Sequence, residues 1–89
     1  MPASASVHHP RYAAIQAHLK SLREKAGMTQ RDLADALKVD QTYISKIERG
    51  DRYVDLAFYV EWCRACGAEP ARALRELLKE TAWDGSDIP

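Results

Sequence analysis

The sequence predicts an all-α fold built from five short helices. Apolar residues recur along the chain at the spacing of an amphipathic helix, and no segment alternates apolar and polar residues as a half-buried strand does. Glycine and proline lie only at the ends of the predicted elements, as a foldable helical sequence requires. With 89 residues, the chain forms one domain at most. Short connections between the helices therefore favour a single helical bundle.

The first predicted helix extends from Arg11 to Ala26. Gly27 follows it, at the position where a left-handed residue commonly ends a helix. Residues 1–10 contain prolines and serines that break the periodicity, so we expect a flexible N-terminal arm there. The apolar residues of this helix share one face: Ile15, Leu19, Leu22 and Ala26.

A second, shorter helix is predicted after Thr29. Thr29 is the expected N-cap, and Asp32, three residues further on, is able to return a hydrogen bond to its backbone, as in a capping box. Residues 38–40 form the next break. The apolar residues of the second helix are Leu33, Ala34 and Leu37.

The third predicted helix covers Gln41–Arg49 and stops at Gly50. Asp40 is its expected N-cap, where a carboxylate also interacts favourably with the helix dipole. Ile44 and Ile47 are predicted to face the second helix, which leaves a polar outer face that a DNA major groove accepts. The residues of that outer face are Gln41, Thr42, Tyr43, Ser45, Lys46 and Arg49.

Two more helices are predicted in the second half. Asp55 caps a fourth helix that runs from Leu56 to about Cys66, and Pro70 fits the first turn of a fifth, where no backbone N–H is needed. Residues 11–81 thus form the predicted helix-turn-helix domain, and residues 82–89 a flexible tail. The core candidates of the fifth helix are Leu74, Leu77 and Leu78.

The charges are unevenly distributed although the formal net charge is zero. Residues 11–50 contain eight lysines and arginines against five acids, a net charge of +3, and residues 51–89 have the reverse balance, −3. This asymmetry is consistent with a basic face towards phosphates and an acidic face away from them.

Several residues across the chain match the pattern of a known family. They are Leu22-Arg23, Gly27-Met28-Thr29-Gln30, Leu33-Ala34, Val39, Ile44-Ser45-Lys46-Ile47-Glu48-Arg49-Gly50, Asp55-Leu56 and Gly67. With these residues the chain resembles the lambda-repressor-like (Cro/CI, or Xre) helix-turn-helix family over residues 15–78. The resemblance implies a five-helix lambda-repressor-like bundle and a sequence-specific transcriptional regulator, a repressor that binds a pseudo-palindromic operator in double-stranded DNA as a homodimer.

The resemblance also implies a role for individual residues. Arg23 and Glu48 correspond to a buried ion pair between the first and third helices. Phosphate contacts supply affinity and register, whereas contacts to base edges supply sequence preference. The expected base-contacting residues are Gln41, Thr42 and Ser45. The residues expected at the DNA backbone or beside the groove are Gln30, Arg31, Tyr43, Lys46, Arg49, Arg52 and Tyr53.

The sequence departs from the family in two places. Lys38 stands in the turn where relatives usually have glycine, so we expect a retained but strained turn. After Gly50 the proline of many relatives is missing, and Tyr53 is placed beside either the duplex or a partner subunit. Tyr43 is itself open to two interpretations, a groove contact or a packing residue.

Two further motifs have more than one interpretation. Cys63 and Cys66 have the spacing of a redox motif, but they lie late in a predicted helix, where the dipole does not lower a thiol pKa. We therefore interpret them as small buried hydrophobic residues, with redox sensing as the alternative. Trp83 and the three leucines of the fifth helix form either a self-association surface or the end of the monomer core.

Several classes of protein are excluded. The sequence contains no apolar run long enough for a membrane span and no secretory signal, so we expect a cytoplasmic protein without a membrane partner. It contains no nucleophile–base set, phosphate loop or zinc-finger spacing, so we expect no enzyme activity, cofactor or metal. The competing hypothesis is an antitoxin or adaptor that uses the same fold to bind a protein partner such as a toxin.

Overall fold

The fold consists of helices, as the sequence predicts. The computed structural model describes residues 9–80 and Trp83, and no strand occurs in that part of the chain. None of the helices in these residues is long and apolar enough to cross a membrane. The five helices are α1 (Pro10–Lys25), α2 (Gln30–Leu37), α3 (Gln41–Arg49), α4 (Leu56–Ala65) and α5 (Pro70–Leu77).

Helix α1 is displaced by one residue from its predicted bounds. Pro10 is its first residue, and the side chain of His9 caps it by accepting the backbone N–H of Arg11 at 3.1 Å. At the other end Ala26 is the C-cap and is exposed, because the chain turns away at Gly27. Ala26 was therefore wrongly placed on the apolar face. The remaining predicted arm, residues 1–8, and the predicted tail apart from Trp83 lie outside the described residues.

Helix α2 begins with the predicted capping box. The hydroxyl of Thr29 accepts the backbone N–H of Asp32 at 3.0 Å, and the carboxylate of Asp32 accepts the N–H of Thr29 at 2.9 Å. Hydrogen bonds to the Asp32 carboxyl from the backbone N–H of Thr29 and from its side chain lower the pKa of that carboxyl. Asp40 occupies the corresponding position before α3, but its side chain makes no capping hydrogen bond. The two helices of the motif are thus capped differently.

The turn between α2 and α3 contains a strained residue. Lys38 adopts a left-handed conformation (φ 59°, ψ 43°), and it is the only residue other than glycine with positive φ among those described. The conformation lets Val39 donate its N–H back to the carbonyl of Ala34 at 3.0 Å, which closes the end of α2. A side chain in this region costs about 1–2 kcal/mol. The turn is therefore retained at the expense of backbone strain.

The core lies where α4 meets the helix-turn-helix. Helix α4 packs against α2 on one side and α5 on the other, while α1 packs against α3 and α5. Trp62, which the sequence analysis did not select, is completely buried and donates its indole N–H to the carbonyl of Leu19 at 3.1 Å. The fully buried residues are Leu19, Leu33, Ile44, Ile47, Trp62 and Cys63.

Helix α5 buries only part of the apolar face that the sequence predicts. Ala73 and Leu77 are buried, one turn apart, whereas Leu74 is 38% and Leu78 50% exposed. Leu74 and Leu78 were therefore wrongly predicted as core residues. The prediction of Leu77 as a core residue is confirmed, and Ala73, one turn before it, lies on the same side of the helix.

A buried ion pair connects α1 to α3. The guanidinium of Arg23 lies 2.7 Å from one carboxylate oxygen of Glu48 and donates to the other at 3.0 Å. It also donates to the carbonyl of Met28 at 2.8 Å, and Gln30 donates its amide N–H to Glu48 at 3.0 Å. The two charged side chains are only 10% and 4% exposed. Both charges thus have hydrogen-bonding partners inside the protein.

Replacing Lys38 with glycine is expected to stabilise the protein. Glycine adopts the left-handed conformation without strain, although its greater freedom in the unfolded chain offsets part of the gain. We expect the free energy of unfolding to rise by about 0.5–1 kcal/mol, measured by urea denaturation. Lys38→Ala is the control, because it removes the charge but keeps the Cβ atom. Equal shifts for the two variants would contradict this explanation.

Replacing Glu48 with glutamine is expected to destabilise the protein strongly. The change leaves the buried charge of Arg23 without its counter-charge, so the free energy of unfolding should fall by about 3 kcal/mol. Glu76→Gln is the matched control, because Glu76 pairs with Lys79 at 3.2 Å on the surface and exposed pairs contribute about 0–1 kcal/mol. Denaturant unfolding measures both variants. If the free energy of unfolding falls by a similar amount in each, burial of the Arg23–Glu48 pair does not explain the effect.

Candidate nucleic-acid interface

Helix α3 presents a polar face from a rigid support. Its inner side is anchored by Ile44 and Ile47, which are completely buried, and Glu48 joins it to α1. The outer side chains of Gln41, Thr42, Lys46 and Arg49 are exposed. A helix held in this way is able to enter a major groove without rearranging its own packing.

The three residues predicted to contact bases differ in their surroundings. Gln41 and Thr42 are exposed in the first turn of α3. Ser45 follows one turn later and is half-buried, and its hydroxyl oxygen accepts a hydrogen bond from Arg49 at 2.8 Å. The first-turn residues are thus open to solvent, whereas Ser45 already has a protein partner.

Arg49 has a second partner that the sequence analysis did not identify. Its guanidinium lies 3.0 Å from the carboxylate of Asp51, and both side chains are more than half exposed. Gly50 between them is in the left-handed conformation, and Asp51 donates its backbone N–H to the carbonyl of Lys46 at 2.8 Å. The sequence signal for this contact is an acidic residue two positions after an arginine, with a helix-ending glycine between them.

Gly50 lies close to a side chain of α1. Its φ of 86° lies in the region that favours glycine, and a Cβ atom at this position would overlap the side-chain amide of Gln16. A larger residue would therefore have to displace the side chain of Gln16 and would be strained by the positive φ.

Tyr43 packs within the protein, which is one of the two interpretations that the sequence leaves open. Its ring meets Phe58 of α4 edge to face, with the centroids 5.3 Å apart. The guanidinium of Arg52 lies over the same ring, 4.8 Å from its centroid, as in a cation–π contact. Tyr43 is half-buried and holds Arg52 beside the end of α3.

Tyr53 packs against α1 within the monomer. Its ring meets that of Tyr12 edge to face, with the centroids 5.0 Å apart. The hydroxyl of Tyr12 donates to the carbonyl of Arg52 at 3.0 Å and accepts the N–H of Val54 at 2.9 Å. Burial raises the pKa of Tyr12. Tyr12, which was not predicted to have a role, thus fixes the segment that follows α3.

The other residues predicted at the DNA backbone lie around α3. Arg31 is exposed in the first turn of α2, and Lys46 is exposed near the end of α3. Gln30 is half-buried, and its amide group is directed at Glu48. Gln30 therefore connects the first turn of α2 to the ion pair that supports α3.

The two cysteines lie away from this face. Cys63 is completely buried and Cys66 is half-buried at the end of α4. Burial raises the pKa of both thiols, that of Cys66 to about 11. Since the thiolate is the reactive form, this environment disfavours redox chemistry and agrees with a packing role.

An apolar groove lies between α4 and α5, and we refer to it as the α4–α5 groove. It has a volume of about 340 Å³. Leu56 at its edge is 73% exposed, and the half-buried Trp83 has the guanidinium of Arg11 5.5 Å from its ring centroid. The main apolar residues of the groove are Ile15, Leu56, Leu74, Leu77, Leu78 and Trp83.

Comparisons with known proteins agree with this architecture. A family model described as a helix-turn-helix domain matches residues 15–78. An XRE-family like protein from Pseudomonas syringae pv. tomato has a similar structure, with a TM-score of 0.77 and 34% identity over 89% of this chain and 96% of the other. No sequence among the curated proteins matches the chain.

Two structures of the clp gene regulator ClgR from Corynebacterium glutamicum are also similar. One has a TM-score of 0.71 and 35% identity, covering 83% of this chain and 96% of the other. The second has a TM-score of 0.70 and 36% identity, covering 80% of this chain and 77% of the other. The family match, the sequence identities and the five-helix architecture lead to one conclusion. The chain belongs to the Xre-type helix-turn-helix family of DNA-binding transcriptional regulators.

Proposed function

We propose that this protein is a sequence-specific repressor that binds a pseudo-palindromic operator as a homodimer. The observation that carries the proposal is the polar outer face of α3, held rigidly by buried contacts on its opposite side. A dimer bound over a promoter would block access to it, which is the basis for proposing repression. The similarity to a clp gene regulator supports a regulatory role.

Base reading is assigned to the first two turns of α3. Gln41 and Thr42 are exposed where a recognition helix inserts its N-terminal end. The amide of Gln41 is able to bond both the N6 and N7 atoms of adenine, and Ser45 extends the same face by one turn. These residues would supply sequence preference.

Phosphate binding is assigned to the surrounding cations. Arg31 in α2 and Lys46 in α3 are exposed, and Arg52 is held over Tyr43. The net charge of +3 over residues 11–50 supports this assignment, although the net charge of the whole chain is zero. These contacts would fix register and give binding its salt dependence.

The α4–α5 groove is assigned to a second copy of this chain. Leu56, Leu74 and Leu78 together expose an apolar surface at the edge of the groove, which a partner subunit would cover. An isologous dimer would place two α3 helices about 34 Å apart, one turn of B-DNA.

Gln41→Ala and Lys46→Ala are expected to affect DNA binding differently. Gln41→Ala should reduce discrimination between the selected site and its variants by about 1–3 kcal/mol, because it removes a base contact. Lys46→Ala should weaken binding to all sequences and reduce the salt slope by about one. Gel-shift titrations at several salt concentrations measure both effects. Equal losses on specific and random DNA for Gln41→Ala would reject base reading there.

Leu78→Glu is expected to convert the dimer into a monomer. A carboxylate in the apolar contact would be buried without a partner, so dimer dissociation should increase by more than tenfold. Sedimentation velocity over a concentration series measures the change. Ala71→Glu is the matched control, because it adds the same charge on an exposed part of α5 outside the groove. A monomeric wild-type protein that still binds single half-sites would contradict the homodimer and favour a different protein in the groove.

A further inference from the structure

Three side chains form a connected cluster at the C-terminal end of α3. The Nε and Nη2 atoms of Arg49 lie 3.1 Å and 3.0 Å from the same carboxylate oxygen of Asp51. The Nη1 atom donates to the hydroxyl of Ser45 at 2.8 Å. We refer to this set as the Ser45–Arg49–Asp51 cluster. A guanidinium is therefore held between two partners on an exposed part of the recognition helix.

The backbone holds Asp51 in place. Gly50 turns the chain in the left-handed conformation, and the N–H of Asp51 returns to the carbonyl of Lys46 at 2.8 Å. The segment that follows is fixed by the two hydrogen bonds of Tyr12. The carboxylate thus comes from an anchored backbone, and its position relative to Arg49 does not depend on a mobile loop.

The cluster lies on the row of α3 that begins with Gln41. Residues four apart on a helix share a face, so Gln41, Ser45 and Arg49 form one line along α3. Arg49 extends the row of proposed base contacts by one more turn.

The hydrogen bonds inside the cluster leave defined groups for a ligand. A guanidinium has five N–H groups, of which Asp51 and Ser45 engage three, so one remains on each terminal nitrogen. Because Ser45 accepts from Arg49, its own hydroxyl hydrogen stays available for donation. The cluster therefore presents N–H donors of Arg49 whose direction is set by Ser45 and Asp51.

The carboxylate also changes which DNA groups Arg49 is suited to bind. A negative charge 3.0 Å from the guanidinium offsets its attraction for phosphate and repels phosphate itself. It does not oppose the neutral acceptors O6 and N7 of guanine, to which arginine donates in pairs. Arg52, which is held over the Tyr43 ring, is better suited to phosphate.

We propose that Asp51 is a positioning residue that directs Arg49 to a guanine in the operator and weakens binding to random DNA. This inference rests on the proposed function and changes the role of Arg49 from a backbone contact to a base-reading residue. It predicts that sequence preference at one operator position depends on a carboxylate that need not touch DNA.

Asp51→Asn tests the inference. The operator is first selected from random DNA with the wild-type protein, and binding to that site, its single-base variants and random DNA is then measured by fluorescence anisotropy over a salt series. Asp51→Asn should reduce the preference for guanine at one position about tenfold. Its affinity for random DNA should rise, with a salt slope steeper by up to about 0.9 as Arg49 turns to a phosphate.

Two further variants test whether Asp51 acts on guanine preference through Arg49. Arg49→Lys keeps the charge but loses the paired donors, so it should lose the same guanine preference. Combining it with Asp51→Asn should cause no additional loss at that position, since both act through one contact. Glu76→Gln is the charge-matched control, because Glu76 is as exposed as Asp51 and is paired with Lys79 on α5.

The outcomes separate the inference from the proposed function. A wild-type protein that selects no sequence overturns the proposed function and this inference with it. If the wild-type protein selects a site and Asp51→Asn keeps the same guanine preference at every position of that site, this inference alone is overturned. The same holds if Glu76→Gln reproduces the effect of Asp51→Asn, because net charge would then explain it.

Discussion

The position of α3 depends on the buried ion pair between Arg23 and Glu48. Burying two charges is costly unless each is paired and hydrogen-bonded, and here Met28 and Gln30 supply the additional bonds. The pair links α1, the first turn of α2 and α3 at one point. Because its geometry is directional, it fixes the rotation and height of α3 in a way that apolar contacts alone do not.

The end of α3 is as closely constrained as its middle. Gly50 allows α3 to approach Gln16, and Tyr12 binds the backbone on both sides of Tyr53. These contacts put Asp51 where it reaches Arg49. The C-terminal end of α3 therefore carries a charged cluster on an anchored backbone.

Strain and exposed apolar surface occur at two places outside the core. Lys38 keeps the turn at a conformational cost that glycine would avoid. Leu56, Leu74 and Leu78 remain exposed, although burying each of these side chains would stabilise the protein. The first feature is tolerated because the packed helices on either side determine the turn. The second feature, exposed apolar surface, is what a contact between subunits would cover, which is why we propose the dimer contact there.

The sequence by itself determined the local features of this protein, because helix periodicity, capping residues and helix-ending glycines act over a few residues. It predicted the helices to within about a residue, the capping box of Thr29, the left-handed strain at Lys38 and the polar face of α3. It did not reveal Trp62 in the core or the role of Tyr12, and it did not decide whether Leu74 and Leu78 belong to the core or to the surface. Those depend on which helix lies against which, and Tyr12 meets the carbonyl of Arg52 across 40 residues. Contacts between residues so far apart in the chain are decided only by the tertiary structure, since no local pattern encodes them.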